Sequence, residues 1–448
     1  MKYCVVPLGC QMNKSDAERI AQVLEQQGHT PTENEEEADI LGVVACSVRQ
    51  KSVNRVYGRI QKWMHWKKER DIITFLSGCV LPIDEEKLQK QFDIIFKIND
   101  LPKLPEYLEK QTKNKQKPII TKQNINLFDY KTLYKDYNEG FWKIQPKHTS
   151  NFHAFVPIQN GCNKYCTYCA VPYTRGREVS RNSDEILTEI QDLVNQGYKS
   201  ITLLGQNVNS YGKDKSNQEL TFTQLLHKIG KLGNNQEKKF WLYYTSPHPS
   251  DITIDVLEAM AQYNCIAKQI HLPLQSGDDQ VLQKMNRSYT LDHYRNIIHQ
   301  IHQILPTATI FTDIIVGFTD ETKEQFNNTL QALQEFQFNM AYIAQYSPRP
   351  GAKSATWDDN VSPEEKKQRY HQLTQALQQI TYQQNKNMIQ KTYTALVEGP
   401  DKKKGHLLAR TEGLIPINFP ETDTNLIGTF VSLKVHSVTP FAASATRI

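Results

Sequence analysis

The chain has 448 residues, 39% hydrophobic and 23% charged, which is enough apolar material to bury cores and excludes wholesale disorder. Its 53 Lys and Arg against 48 Asp and Glu leave a net charge of +5, a mild lean toward polyanionic partners. No apolar run reaches the roughly 20 residues that cross a bilayer. The opening Met1-Lys2-Tyr3-Cys4-Val5-Val6-Pro7 reads as a strand and not as a secretory signal, so a cytoplasmic protein without membrane contact is expected.

In chain order, residues 1–115 read as the first domain. Apolar strands at 40–44 and 72–76 alternate with helical patterns at about 15–27 and 49–66, predicting an open parallel sheet of βαβ units. From Arg49 to Arg70 eight basic residues accompany one acid, and Arg55, Arg59 and Lys62 recur at helical spacing. That pattern is either a basic stripe for nucleic acid or a solvated helix surface. Residues 116–150, rich in Lys, Asn and Gln with Pro118 and Pro146, read as a linker. In 151–385, strand-like runs at 153–158, 200–204, 240–244, 268–272, 309–316 and 339–344 alternate with helical stretches at 183–196, 221–231, 251–263, 290–304 and 320–335. Six such repeats predict a partial (β/α)6 barrel with its chemistry at the strand C-termini. A long helix is expected at 362–391, and residues 386–448 hold short strands at 393–398, 405–410, 413–418 and 428–438, fitting a small closed barrel of OB-like type.

Cysteines stand at 4, 10, 46, 79, 162, 166, 169 and 265. Disulfides are rare in a reducing compartment, so clustered cysteines point to metal or redox chemistry. Cys162, Cys166 and Cys169 have C-x3-C-x2-C spacing, which chance places in roughly 0.003 chains of this size and cysteine content. Soft thiolates select zinc or iron–sulfur clusters. Structural zinc wants four protein ligands, yet no fourth Cys lies nearby, and His148 and His153 sit upstream of a predicted strand. Three thiolates on one loop suit a [4Fe–4S] cube with one iron open to a small chelating molecule, with a three-ligand catalytic zinc as the alternative. Cys10, Cys46 and Cys79 each follow a predicted strand, where loops of an open parallel sheet converge. A second cluster with three protein ligands is expected there, against three unrelated small buried residues. Cys4 and Cys265 read as core packing.

Around these cysteines lie Gly9-Cys10-Gln11-Met12-Asn13, Ala45-Cys46-Ser47-Val48-Arg49, Ser77-Gly78-Cys79 and Gly161-Cys162-Asn163-Lys164-Tyr165-Cys166-Thr167-Tyr168-Cys169. Pro172-Tyr173-Thr174-Arg175-Gly176-Arg177-Glu178-Val179-Ser180-Arg181 and Leu204-Gly205-Gln206-Asn207-Val208-Asn209-Ser210-Tyr211 follow. On these segments the chain resembles the radical S-adenosylmethionine (SAM) methylthiotransferases over nearly its whole length. Gln11-Met12-Asn13 and Gln206-Asn207-Val208 take the form of the branch that modifies isopentenylated tRNA.

The resemblance implies two [4Fe–4S] clusters as the catalytic centres. Cys162, Cys166 and Cys169 would hold the one that binds SAM, and Cys10, Cys46 and Cys79 the other. It implies that Tyr168 packs on the adenine of SAM, that Gln206 and Asn207 lie near its methionine group, and that Ser246, His248, Gln275 and Asp313 line the same site. Arg287, in Met285-Asn286-Arg287-Ser288-Tyr289-Thr290, is expected near the substrate. The C-terminal barrel is implied to be a TRAM domain that binds RNA, with Lys402-Lys403-Lys404 contributing, since residues 393–448 hold only six Lys and Arg against five acids.

The implied reaction begins with reductive cleavage of SAM to a 5′-deoxyadenosyl radical, which takes hydrogen from C2 of N6-isopentenyladenosine 37 in the tRNA anticodon stem-loop. Sulfur from the N-terminal cluster then enters at C2 and a second SAM methylates it. The splayed-out base of a single-stranded loop can enter a barrel mouth where a stem base cannot. A flavodoxin-like electron donor and a monomeric state complete the expectation. The alternatives are a methylthiotransferase for N6-threonylcarbamoyladenosine 37 and a non-catalytic, zinc-stabilised RNA-binding protein. Two positions depart from the family pattern: Ala45 where Asn is common, and Thr319-Asp320-Glu321-Thr322 where Pro-Gly-Glu-Thr is common.

Overall fold

A computed structural model describes residues 1–46, 50–113, 118–121, 130–215, 218–234 and 238–448. Ser47, Val48 and Arg49 of the second cysteine segment, and part of the segment read as a linker, lie outside the described residues.

Strands β1 (Lys2–Leu8), β2 (Thr30–Pro31), β3 (Ile40–Cys46), β4 (Ile73–Cys79), β5 (Ile94–Ile95) and β6 (Ile119–Ile120) form one sheet in the order β2-β1-β3-β4-β5-β6. Every neighbouring pair is parallel. β3 and β4 are buried along their whole length, because helices cover both faces of such a sheet, and their sequences are accordingly continuous apolar runs. Helix α1 (Gln11–Gln26) brings Ile20, Val23 and Leu24 to one face, against Ile40, Val44 and Phe75. Helix α2 (Gln50–Trp66) brings Val56, Ile60 and Trp63 to the other, against Leu41, Val43 and Leu76. On α2, Arg59 pairs with Glu35, while Lys62 lies 3.7 Å from Glu36 and over the Trp66 ring. Two of the three cations of the stripe are thus engaged inside the domain, which favours a solvated surface over an RNA track.

Helices α3 (Pro82–Leu88), α4 (Leu104–Lys113) and α5 (Tyr130–Lys135) complete the first sheet's surroundings. α5 and the turns after it place Leu133, Tyr137, Phe141 and Trp142 in the same core as Phe75 and Phe96.

The middle of the chain begins with β7 (His153–Pro157) and a two-residue antiparallel pair, β8 (Gln159–Asn160) and β9 (Val179–Ser180), separated by α6 (Val171–Arg175). There follow α7 (Ser183–Asn195), β10 (Ser200–Leu204), α8 (Phe222–Asn234), β11 (Trp241–Tyr244), α9 (Ile254–Gln262) and β12 (Gln269–His271). Then come α10 (Asp279–Lys284), α11 (Leu291–Ile304), β13 (Thr309–Val316), α12 (Lys323–Phe336), β14 (Met340–Gln345) and α13 (Pro363–Lys386). The six long strands make two parallel sheets, β11-β10-β7 and β12-β13-β14, joined by the bridge Leu242–Ile266. They match the six predicted runs and form an open partial barrel. Ile201, Leu203, Ile310, Ile314 and Val316 point outward into the helix-packed core. The alternate residues face the lumen, where Phe155 and Leu204 meet Met12 of α1.

α13 stops at Lys386, short of the expected 391. Its last turn is diverted because the Asn385 amide donates to the carbonyls of Thr439 and Pro440, each at 3.0 Å. After β13, Asp320 takes φ +60, the left-handed conformation that suits the family's glycine. Asn360 Oδ1 accepts from its N–H at 2.9 Å, and its carboxylate meets the Asn360 amide and the Lys284 ammonium. Asp320→Gly exchanges about 1 kcal/mol of left-handed strain for an exposed ion pair of similar size. The thermal midpoint is therefore expected to stay within a few degrees, and a larger fall would show that the pair holds the loop.

β15 (Thr392–Pro400), β16 (His406–Thr411), β17 (Pro416–Pro420), β18 (Phe430–Val438) and β19 (Ala443–Arg447) close a barrel in the order β15-β16-β17-β19-β18. The sequence pattern did not predict β19, whose inward residues are only Ala443 and Ala445. This barrel plugs the strand N-termini of the larger one. Phe430 packs edge-on to Trp241 at 4.6 Å, and Thr309 Oγ1 donates to Gly413 O at 2.8 Å. A cavity of about 920 Å³ lies at that junction, lined by Lys268, Glu412 and Tyr393 among others. It sits at the barrel end opposite the cysteines, so it is not the chemical site.

Candidate metal centre and cofactor pocket

Parallel register sets Cys46 directly opposite Cys79 at the C-terminal ends of β3 and β4, and Leu8 opposite Ala45. The chain after Leu8 turns into α1 with Cys10 at its N-terminus. That turn passes so close to β3 that a Cβ on Gly9 would lie 2.7 Å from Cys46 Cβ and 2.1 Å from Asn13 Oδ1. Gly78 adopts φ +100, where a Cβ would meet Ala45 O at 2.5 Å, so glycine alone fits. Asn13 fastens the loops together: Oδ1 accepts from the Cys10 N–H at 3.1 Å, and Nδ2 donates to Ala45 O at 2.9 Å. Because that second bond goes to the main chain, Ala45 receives it as well as the family's Asn would.

Cys162, Cys166 and Cys169 occupy the loop between β8 and α6. Gly161 at φ +81 opens it, and Gln206 Oε1 accepts the Gly161 N–H at 2.6 Å. The Cys162 N–H donates to Gly176 O at 3.1 Å and the Thr167 N–H to Met285 O at 3.0 Å. Asn286 Nδ2 donates to the carbonyls of Lys164 and Tyr165. Arg287, buried, donates from Nη1 to Cys166 Sγ at 3.4 Å and from Nη2 to Pro273 O at 3.2 Å.

The two cysteine sets lie close to one another. Arg175 of α6 donates from Nε to Cys79 Sγ at 2.9 Å. Burial pushes the Cys79 thiol up to about 12, with Arg175 opposing and Cys46 and Cys10 adding to it. Burial also pushes Cys169 up to about 12, and both Cys166 in its own loop and Cys46 across the domain boundary contribute. Cys162 is raised by burial too, with Cys169 and Cys166 adding. Thiols so raised ionise only when a metal takes the place of their protons, which fits both sets to multi-iron clusters. Among the described residues no three His, Cys, Asp or Glu converge on a single ion.

The other expected site residues gather around the cysteine loop with differing duties. Tyr168 lies edge-on to Phe318 at 6.4 Å, beside Met285 and Tyr346. Gln206 is spent on Gly161, and buried Asn207 uses both amide ends, donating to Asp251 Oδ2 at 2.7 Å and accepting from the His248 N–H at 3.2 Å. Burial works against the Asp251 carboxylate, but bonds from Lys164, Asn207 and Lys213 hold it down to about 2. Ser246 takes φ +60 and Gln275 φ +69 at strand ends. Asp313 pairs with His271 Nε2 at 2.8 Å in the lumen, and the Tyr342 ring lies tilted against that imidazole at 5.6 Å. His248 Nε2, Gln275 Oε1 and Thr319 Oγ1 are buried without partners. Buried polar atoms are ordinarily hydrogen-bonded, so these three suit a polar ligand such as SAM. The sequence segments contained Asn13 and Arg175 but gave them no role, because their partners are distant in the chain.

Burial, with Arg287 and Lys164 adding, pushes His248 down to about 2. A base depressed on folding binds fewer protons folded than unfolded, so its contribution is lost as pH falls below the unfolded value near 6.5. Between pH 6.5 and 5 this amounts to up to about 2 kcal/mol. The thermal midpoint of the metal-free protein is expected to fall more steeply with acid than that of His248→Asn; parallel profiles would contradict the assignment.

Three family models match the chain: an uncharacterized protein family, UPF0004, over residues 2–97, the radical SAM superfamily over 156–333 and the TRAM domain over 386–447. A tRNA-2-methylthio-N(6)-dimethylallyladenosine synthase of Clostridium perfringens is 36% identical across 98% of this chain and 96% of its own. One from Clostridium botulinum is 36% identical across 100% and 97%, and one from Acetivibrio thermocellus 35% across 97% and 88%. Among solved structures, the radical SAM methyltransferase TsrM of Kitasatospora setae, with tryptophan and a SAM analogue bound, aligns at a TM-score of 0.59. It covers 79% of this chain and 75% of its own at 12% identity, a likeness of fold alone. With the cysteine loops, the partial barrel and the small C-terminal barrel in place, likeness at this level over full length makes the chain a member of the tRNA-2-methylthio-N6-dimethylallyladenosine synthase family of radical SAM enzymes.

Proposed function

We propose that the protein is a tRNA methylthiotransferase that converts N6-isopentenyladenosine 37 to its 2-methylthio derivative, with two [4Fe–4S] clusters and SAM as cofactors. The observation that carries this reading is the facing of Cys46 and Cys79 toward Cys169 and Arg175 across the domain boundary. Two cofactors that act on one base need such a shared space. When bound, the SAM-liganded cluster supplies one-electron chemistry able to act on C2 of adenine, a position that acid–base chemistry activates poorly.

The chain's own groups position and exclude water. Gln206 and Asn286 hold the Cys162–Cys169 loop, and His248, kept neutral, offers Nε2 as a donor while Ser250 occupies its Nδ1. Gln275 Oε1 offers an acceptor and Tyr168 an aromatic face toward SAM. Met12, Phe155 and Leu204 pack as an apolar cluster between α1 and the barrel strands, which makes this side of the lumen the apolar one on which the isopentenyl group would be received. The TRAM barrel meets the tRNA, with Lys402, Lys403 and Lys404 exposed on it. No helix among the described residues is long and apolar enough to cross a membrane. A cytoplasmic monomer reduced by a flavodoxin-like donor completes the proposal.

Anaerobic reconstitution tests the cofactors: about eight irons per chain are expected from two cubes, and zinc without iron would reject the enzyme. Mass spectrometry of tRNA nucleosides from a deletion strain tests the substrate. Loss of the 2-methylthio-isopentenyl nucleoside supports it, and loss of the threonylcarbamoyl product would overturn it.

A further inference from the structure

Arg175 begins in the barrel domain and ends in the N-terminal one. Its Nε donates to Cys79 Sγ at 2.9 Å, Nη1 donates to Asn160 Oδ1 at 2.9 Å, and Nη2 pairs with Asp16. All four residues are buried, and Asp16 keeps its other carboxylate oxygen without a partner. A charge this deep is costly unless each of its bonds is used. Sulfur of a thiol is a weak acceptor for the Nε bond. On a ligating thiolate the same bond becomes charge-assisted, and hydrogen bonds to ligand sulfur are a principal lever on iron–sulfur potential. Cys79 accepts the Nε–H of this cation, and α6 ties it to the loop that ends at Cys169.

We infer that Arg175 is a positioning residue for the N-terminal cluster: its Nε–Sγ bond raises that cluster's reduction potential and holds Cys79 in register with the Cys162–Cys169 loop, while Asp16 aims the guanidinium. The inference rests on the two-cluster reading above. A residue that only stapled the domains would give a different result from one that acts on the cluster. Removing Arg175 takes away a positive charge and Asp16→Asn takes away a negative one, so their effects on potential have opposite signs, whereas loosening a staple shifts both variants alike.

The test uses the full chain with Cys162, Cys166 and Cys169 all replaced by Ala, so that reconstitution fills only the N-terminal set, to about four irons. Redox titration followed by electron paramagnetic resonance reads its midpoint and g values. Arg175→Gln is expected to lower the midpoint and alter the g values, Arg175→Lys to fall between, and Asp16→Asn to raise the midpoint. Unmoved values in Arg175→Gln, or shifts of the same sign in it and Asp16→Asn, would overturn the role. If Arg175→Gln holds no iron, Arg175→Lys decides: a lowered midpoint supports the role and an unmoved one refutes it. Should the parent with Arg175 intact take up no iron, the two-cluster reading fails instead.

Discussion

Cys166→Ala is expected to abolish SAM cleavage, by more than about 10³-fold or roughly 4 kcal/mol of barrier, while Cys46→Ala cleaves SAM and makes no methylthio product. The asymmetry comes from what holds each set. The Cys162–Cys169 loop is fastened by Gln206, Met285 and Asn286, all within the barrel domain. Losing Cys46, at the end of β3, leaves those contacts untouched. Losing Cys166 takes a thiol from the loop itself and removes one acceptor of the buried Arg287. Release of 5′-deoxyadenosine and the 2-methylthio nucleoside, measured on the same reaction, separate the two steps. Wild-type cleavage in both variants would overturn the division of labour.

Gly161→Ala is expected to empty the Cys162–Cys169 set, where Gly197→Ala does almost nothing. Both glycines have positive φ, +81 and +93, so both substitutions carry about 1 kcal/mol of left-handed strain. Their surroundings differ. A Cβ at 161 would lie 2.0 Å from Arg177 O, a main-chain atom that cannot swing aside, whereas a Cβ at 197 meets nothing within 4 Å. Relief of that clash pulls Cys162 from its bond to Gly176 O and moves the first ligand. Iron in Gly161→Ala should fall by about half, to the four of the N-terminal set, with SAM cleavage lost. Full iron in Gly161→Ala would show that the loop gives way without disturbing the ligands.

Periodicity located the six barrel strands and the central strands of the first sheet, since most of them are buried apolar runs between helices. It missed β19, because a strand whose inward residues are Ala443 and Ala445 has no apolar alternation to read. It extended α13 by five residues, because the diversion there comes from carbonyls at 439 and 440. The cysteine loop was legible for the opposite reason, since three cysteines within eight residues need no distant partner to be noticed. Gln206 and Asn207 were legible as distinctive residues but not in their tasks, which depend on Gly161, Asp251 and His248 arriving from other strands.

The order of residues alone determined that one thiol triplet lies on a single loop and that a parallel sheet, a partial barrel and a small closed β-barrel follow in series. Only the folded chain decided that Cys46 stands opposite Cys79, that Asn13 binds two loops into one, and that Arg175 reaches across to a thiol 96 positions away. Local spacing can specify a loop, because its geometry spans few residues. A site shared by two domains is fixed by strand register and interdomain packing, which bring together residues far apart in the chain.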